Sequence, residues 1–479
     1  MTETNNNDQE DSQTPLQQIT FLLRKYKLVE GLVNLQDSPD LSLSESEVQK
    51  KNLSELQDFL DQLHPADIAH ILEALPLEDR LLIWSMIKSD RDGDVLLETS
   101  EAVRATLITD MGAQELVAAT EYLDADEIAD LAPNLPQEVM EDVFRSLPIE
   151  EREQLRAAMS YPEDSVGALM DFDVITIRED VRLEVVLRYL RWLEEMPDHT
   201  DQLFVVDRNE QLKGVLLINR LLVSDPDTLV ADVMTKEIIK LRPDDVAQQA
   251  ANAFERYDLV SASVVDENDK LLGRVTVDTV IDFIRDKAEN EALNLAGLSE
   301  DEDLFAPVLK SVRNRWGWLA INLITAFIAS RVIGLFEDSI EKLVALAALM
   351  PIVAGIGGNS GNQTITMIVR ALALDQINTR STWKLLGKEI GVSLVNGFVW
   401  GTIIGIFTFA IYQNAELGLV MTLAMMLNLL LAASLGVLIP LTLRKFGRDP
   451  ALGSSVMITA VTDSGGFFIF LGLATIFLL

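Results

Sequence analysis

The sequence predicts a multidomain membrane protein: a solenoid-like α-helical N-domain, an α+β module present twice in tandem, a long connecting helix, and an α-helical transmembrane domain of five helices. Three observations carry this prediction. A Leu-Pro-x-Glu phrase restarts short helices early in the chain, a β-α-β-β-α unit recurs with Asp207 and Asp266 at equivalent places, and five apolar runs near the C-terminus are each long enough to cross a bilayer. Charge divides the chain at the same place. From Asp303 onward there are nine acidic and twelve basic residues, so the formal −36 of the whole leaves −39 on residues 1–302. A body that acidic repels nucleic acid and accumulates cations, divalent metals among them. With no cysteine there is no disulfide framework, thiolate metal site or cysteine nucleophile, and the compartment cannot be read from redox chemistry.

Residues 1–15 are polar, low in apolar content and bounded by Pro15, and read as a disordered tail. The start lacks the basic and apolar stretches of a cleavable signal, so targeting is expected from the later helices and the N-terminus is expected in the cytoplasm. Residues 16–161 form the acidic helical N-domain. Leu75-Pro76, Leu135-Pro136 and Leu147-Pro148 each mark a helix start, because proline suits the first helical position and Glu78, Glu138 and Glu150 favour the positive end of the helix dipole. His64 and His70 lie far from other metal-ligating residue types and are expected to be structural.

The duplicated module occupies 162–228 and 229–285. Val205-Val206-Asp207-Arg208-Asn209, ending at Gly214, recurs as Val264-Val265-Asp266-Glu267-Asn268, ending at Gly273. Each is preceded by an alternating strand, Val174 to Ile177 and Ile238 to Leu241, and an amphipathic helix, and the Asp-x-Asn turn makes the layout of a hairpin. This resembles a tandem pair of CBS domains. Such pairs often bind adenosine nucleotides, which makes ATP a candidate ligand. The Ser/Thr-x-x-Asp phrase that accompanies binding is missing from the first copy, and Thr276-Val277-Asp278 only approximates it in the second. The region 279–312 follows as connecting helix and linker. The helix, about Thr279 to Leu298, carries Asp282, Asp286, Glu289 and Glu291, which a solvated acidic face would also explain.

The transmembrane domain is expected at 313–479, with spans at about Trp316–Leu335, Leu343–Val369, Ile390–Tyr412, Leu417–Leu443 and Leu452–Leu479. Lys310, Arg313 and Arg315 precede the first, Arg370, Arg380, Lys384 and Lys388 separate the second and third, and Arg444, Lys445 and Arg448 separate the fourth and fifth. The opposite loops hold Glu337, Asp338, Glu341 and Glu416 with only Lys342 basic, so the positive-inside rule puts the N-terminus in the cytoplasm and the C-terminus outside.

One acid, Asp463, stands inside the last span. With entry near Ala451 it lies roughly 20 Å deep, near the midplane. Carboxylates at that depth usually face a bundle interior or a watery path, so a cation route is the leading functional hypothesis. The competing explanation pairs it with a helix amide or with Arg331. In the second span, Gly355 to Gln363 (GIGGNSGNQ) brings glycines together with Asn359, Asn362 and Gln363. Close packing through small residues explains the glycines, whereas the amides require partners or water at membrane depth. Asp463-Ser464-Gly465 also matches a short phrase of aspartic proteases, but a protease dyad needs a second carboxylate, and Glu389 beside Lys388 is badly placed for it.

Five phrases then bring a family into view: Leu63-His64-Pro65-Ala66-Asp67, Pro351 to Gln363, Arg370-Ala371-Leu372-Ala373, Asp449-Pro450-Ala451 and Thr462-Asp463-Ser464-Gly465. With the order of domains, they make the chain resemble the MgtE family of magnesium channels over nearly its full length. The resemblance implies a homodimer in the bacterial plasma (inner) membrane, not an enzyme. Its pore would be lined by the second and fifth spans at the two-fold axis, with Asp463 holding hydrated magnesium and Asn359, Asn362 and the backbone near Thr459 as outer-sphere partners. It also implies regulatory magnesium on the connecting "plug" helix, here at Asp278, Asp282, Asp286 and Glu291, closing the pore when the ion is bound. This sequence departs from the family pattern at Thr279, Lys287, Asn290 and Gln248-Gln249, where acids are common. The alternatives are a carrier or channel for another divalent ion such as Co2+ or Mn2+, or a non-conducting CBS sensor anchored in the membrane.

Overall fold

A computed structural model describes residues 14–33, 42–193, 195–298, 302–373, 376–377, 379–451 and 453–479. All but the last two residues of the expected N-terminal tail lie outside this set. The chain forms two compact units, Met1–Lys287 with Asp303–Ala306, and Ala288–Glu302 with Pro307–Leu479.

In the first unit, helices of six to nineteen residues run from Pro15–Val33 to Ile149–Ala158. Ile68, Ile71, Leu72, Ile83, Leu107, Ile128, Val143 and Leu155 are all fully buried in their shared core. Three prolines punctuate the run as the sequence suggests, but one position earlier in each helix. Pro76, Pro136 and Pro148 are N-caps with ψ of 151°, 144° and 160°, not first helical residues. The reason is that the ring fixes φ near −65°, which suits an extended cap as well as a helical residue, and a cap needs no N–H. Glu78, Glu138 and Glu150 do fall in the first turns, facing the positive end of the dipole. His64 has a structural role as N-cap of Pro65–Glu73, its Nδ1 accepting from the Ala66 N–H at 3.3 Å.

A buried ion pair closes this unit onto a distant segment. Arg80 is fully buried; its Nε donates to the Leu72 carbonyl at 2.8 Å and its Nη2 to that of Leu75 at 3.3 Å. These carbonyls lie at and just past the end of helix Pro65–Glu73, where the regular helical hydrogen-bond ladder stops. The guanidinium also meets Asp303 in a fork, Nη1 to Oδ2 at 2.6 Å and Nη2 to Oδ1 at 3.1 Å, and Oδ1 accepts from the Phe305 N–H at 2.9 Å. The strand of chain just before the first membrane helix is thus tied to the N-domain.

The duplication persists at atomic detail. β1 (Thr176–Arg178) lies parallel to β2 (Gln202–Val206), which pairs antiparallel with β3 (Leu212–Leu217); β4 (Lys240–Leu241), β5 (Ser261–Val265) and β6 (Leu271–Thr276) repeat that order. The leading strands begin at Thr176 and Lys240, two residues later than the sequence suggests in each copy. Val205 pairs with Gly214 and Val264 with Gly273, and each ladder shifts register at the next residue. Asp207 Oδ1 accepts from the N–H groups of Asn209 and Gln211, as Asp266 Oδ1 does from those of Asn268 and Lys270. The glycines are required by close approach: a Cβ at Gly214 would stand 2.5 Å from the Thr235 oxygen, and at Gly273 2.5 Å from that of Asp171. The connecting helix, Val277–Ala296, follows directly from β6.

In the second unit the membrane helices are Val308–Gly334, Ala345–Ala373, Thr379–Tyr412, Ala415–Lys445 and Ser454–Leu478, here called first to fifth. Among the described residues four of them are long and apolar enough to cross a membrane. The second has 29 residues, and its glycine and amide centre dilutes its hydropathy; it packs against the fourth and fifth. The fourth is the hub, with Val420, Met421, Ala424, Asn428 and Ala432 buried. Gly397, Gly401 and Gly405 of the third helix form a stripe along it, with a Cβ at Gly405 only 2.7 Å from the Gly418 oxygen. That closeness is how helices gain van der Waals contact where the hydrophobic effect offers no drive.

Arg80→Ala should destabilise the first unit by about 3–5 kcal/mol, since it strands a buried carboxylate. Arg80→Leu combined with Asp303→Leu should recover much of that loss. A double-mutant cycle in denaturant, followed by proteolysis of the N-domain in the full chain, measures it.

Candidate functional site

The fifth helix begins at Gly453, in the left-handed region with φ of 74°, and buries the stripe Ser454, Ile458, Thr462, Gly466 and Phe470. That stripe meets the glycines of the second helix. A Cβ at Gly361 would lie 2.4 Å from Ile458 Cγ1, and one at Gly358 3.7 Å from Thr462 Oγ1. Close packing therefore accounts for the glycines of the GIGGNSGNQ segment, and the amides lie on a different edge of the helix. Gly357, Gly358 and Gly361 are buried in the seam, while Asn359 and Gln363 are exposed and Asn362 is half-buried.

A residue that the sequence does not single out holds the crossing together. Asn428, at the buried centre of the fourth helix, donates from Nδ2 to the Val353 carbonyl at 2.9 Å. A Cβ at Gly357 or Gly466 would come within 2.2 or 2.7 Å of that Nδ2, so the amide fits only between two glycines. Its Oδ1 has no partner among the described residues. A lone asparagine in an apolar run is the signal that marks it.

Asp463 lies on the neighbouring face of the fifth helix, half-buried, beside a cavity of about 160 Å³. Val456, Thr459, Ala460 and Asp463 form one wall, and Asn322, Thr325, Ala326 and Ala329 of the first helix form the other. Both sets follow the i, i+3, i+4, i+7 spacing of a single helical face. No described residue bonds or pairs with the Asp463 carboxylate. Arg331, the cation that would have neutralised it structurally, lies over the Phe327 ring at 5.3 Å instead. Of the residues expected at the pore, Thr459 shares this cavity with Asp463; Asn359 and Asn362 do not line it within one chain.

The end of the connecting helix seats where the fifth helix begins. Asn294 Nδ2 donates to Asp449 Oδ2 at 3.1 Å, and Leu295 packs with Ile365, Val369, Ala451 and Ile458. Gly297, with φ of 76°, turns the chain over Trp318 so tightly that a Cβ would fall 1.9 Å from the indole nitrogen, and Gly453 approaches the same ring.

The four acids expected to form a regulatory site are spread out. Asp278 has a buried Oδ1 without a protein partner, Asp282 and Asp286 both lie against Arg285 at 3.4 and 3.5 Å, and Glu291 falls in the second unit. Among the described residues no three His, Cys, Asp or Glu side chains converge to hold a metal ion. A different set of acids, which no sequence motif marks, is raised above the usual carboxylate range, chiefly by burial. Burial, with Asp171 adding to it, pushes the Asp126 carboxyl up to about 8. Burial pushes Asp130 to about 6, against the pull of Arg104 and with the charge of Asp286 adding to the rise.

The sign of the Asp126 effect follows from its raised value. The folded unit keeps a proton that the unfolded chain loses near pH 4, so this group removes stability as pH rises from about 4 to about 8. Asp126→Asn should therefore stabilise the protein by on the order of 5 kcal/mol at pH 8 relative to the parent and leave it unchanged below pH 4. Thermal unfolding of both proteins across that range, with divalent ions chelated, measures the difference.

Comparison with known proteins agrees with these features. Residues 63–164 match the MgtE intracellular N domain, residues 230–286 a CBS domain, and residues 350–473 the family described as MgtE, divalent cation transporter. The chain is 30% identical over 449 residues to the magnesium transporter MgtE of Thermus thermophilus, covering 91% of this chain and 98% of that one. It is 28% identical over 426 residues to the magnesium transporter MgtE of Bacillus subtilis, covering 89% and 94%. The crystal structure of the cytosolic domain of the Mg2+ channel MgtE in complex with ATP is 29% identical, matching 50% of this chain and 98% of that one with a TM-score of 0.45.

Proposed function

This chain belongs to the MgtE family of magnesium transporters, and we propose that it acts as a gated channel for hydrated magnesium with Asp463 at the centre of its pore. The observation that carries this reading is a carboxylate at membrane depth, beside a cavity, with no described protein group to neutralise it. Left so, it is costly in an apolar bundle. A passing dication removes the cost. Magnesium gives up its water reluctantly, so it is held through its shell by acceptor oxygens and requires no cage of carboxylates.

The channel works as a homodimer. Asn359 and Gln363 lie exposed at membrane depth on one chain, an arrangement lipid does not tolerate and an aqueous two-fold axis does. There Asn359, Asn362 and the backbone near Thr459 join two Asp463 carboxylates around the hydrated ion. Basic loops hold the N-terminus in the cytoplasm of the bacterial cell and leave the C-terminus outside.

Gating runs through the connecting helix. Its end rests on Asp449, Leu295's apolar nest and Trp318, the place from which a plug would close the pathway. Asp278, Asp282, Asp286 and Glu291 are the regulatory acids; bridged by magnesium they hold the helix in place, and without it they repel. Arg285 already offsets Asp282 and Asp286, so closure here needs more magnesium than a fully acidic helix would. The cleft between the CBS copies, about 450 Å³ and lined in part by Asp201 and Asp258, is the place where ATP would bind.

Asp463→Ala should reduce magnesium flux into liposomes carrying the purified protein at least tenfold, roughly the worth of one charge-assisted hydrogen bond per subunit. Unchanged flux would remove the pore assignment, and flux that requires a second, co-transported ion would make the protein a carrier. Competition by Co2+ and Mn2+ in the same assay fixes which divalent ion it prefers.

A further inference from the structure

We infer that the first membrane helix is part of the ion site, with Asn322 and Thr325 as outer-shell ligands facing Asp463. This rests on the pore role of Asp463 proposed above and adds the wall opposite it. The cavity beside Asp463 is bounded by two helical faces, and each contributes two polar side chains among small apolar ones. Alanines at 326, 329 and 460 keep the walls apart.

The hydrogen-bond directions decide what the chamber suits. Thr325 spends its hydroxyl proton on the Asn322 carbonyl at 2.9 Å, and Thr459 spends its own on that of Ser455 at 2.8 Å. Both hydroxyl oxygens are left with lone pairs to offer. An ionised Asp463 can only accept, and the Asn322 amide, engaged by no described residue, can turn its oxygen inward. Four acceptors thus surround one space. Water bound to a dication points its protons outward and is satisfied there, whereas an anion is not.

The structural alternative is an amide–carboxylate lock between the first and fifth helices. It requires Asn322 Nδ2 to donate to Asp463, and no such bond is present. Nor does small-residue packing explain two unsatisfied polar groups across from each other at membrane depth.

The test uses the full-length protein in liposomes, with magnesium flux measured against concentration for the parent, Asn322→Leu, Thr325→Val and Asp463→Ala. Asn322→Leu keeps the bulk and removes the oxygen; it should raise the half-saturating magnesium concentration about fivefold to tenfold, and Thr325→Val about twofold to fivefold, both within the range for loss of one neutral hydrogen bond. Hexaamminecobalt(III), whose ammines imitate a water shell that cannot be shed, should block the parent and block Asn322→Leu more weakly. Asn322→Asp, which adds an acceptor charge, should shift half-saturation the opposite way and guards against a leucine variant that fails to assemble. If Asp463→Ala abolishes flux while the variants at 322 and 325 keep the parent's half-saturation and block, this inference is overturned and the pore assignment stands. If Asp463→Ala conducts normally, both fall.

Discussion

A charge in an apolar bundle must be answered by something, and much of the membrane half is arranged around the fact that Asp463 is answered by no described protein group. Were it paired with Arg331, the fifth helix would be a structural element; Arg331 stacks on Phe327 instead. On the function proposed here, water and the cation it carries meet that carboxylate. Its neighbours suit that task. Thr459 and Thr325 give their protons to their own helices and present oxygen, so the chamber is polarised in one sense without further carboxylates. A site that grips through a water shell can release its ion, which transport requires, whereas a dedicated cage would retain it.

The glycines serve this arrangement by distance. Gly358 and Gly361 let the fifth helix approach the second, and Gly357 and Gly466 admit Asn428 between them, which fixes the crossing of three helices from the buried side. Rigidity on that side leaves the amides of the second helix and the Asp463 face of the fifth free of packing duty. At the other end of the site, Gly297 and Gly453 turn over one indole, Trp318, so the end of the connecting helix, the first helix and the start of the fifth meet at a single side chain. In the first unit the Arg80–Asp303 fork has a comparable effect, fastening the residues before the first membrane helix to the N-domain.

Much of this is legible in the sequence because it is periodic or repeated. Run length reveals membrane helices, a strict repeat of Asp-x-Asn and glycine reveals the paired α+β modules, and one acid in an apolar run reveals where chemistry is worth seeking. What is not legible is what depends on unique pairings. Nothing links Arg80 to Asp303 along the chain, and nothing in the first span marks Asn322 and Thr325 as facing Asp463 until both helices are placed. The prolines stand one residue ahead of their expected places because φ alone does not distinguish a cap from a first turn. Family position singles out the acids of the connecting helix, but local charge spacing, which sets Arg285 between Asp282 and Asp286, is the better guide to their state.

The most direct measurement of the central claim is anomalous scattering from crystals of the full-length protein grown with Mn2+ in place of magnesium. A peak is expected about 4–5 Å from Asp463, the distance at which an oxygen meets a dication through one water, together with its loss in Asp463→Ala. A membrane half without such a peak, with Asp463 turned to lipid or bonded to a protein donor, would contradict it.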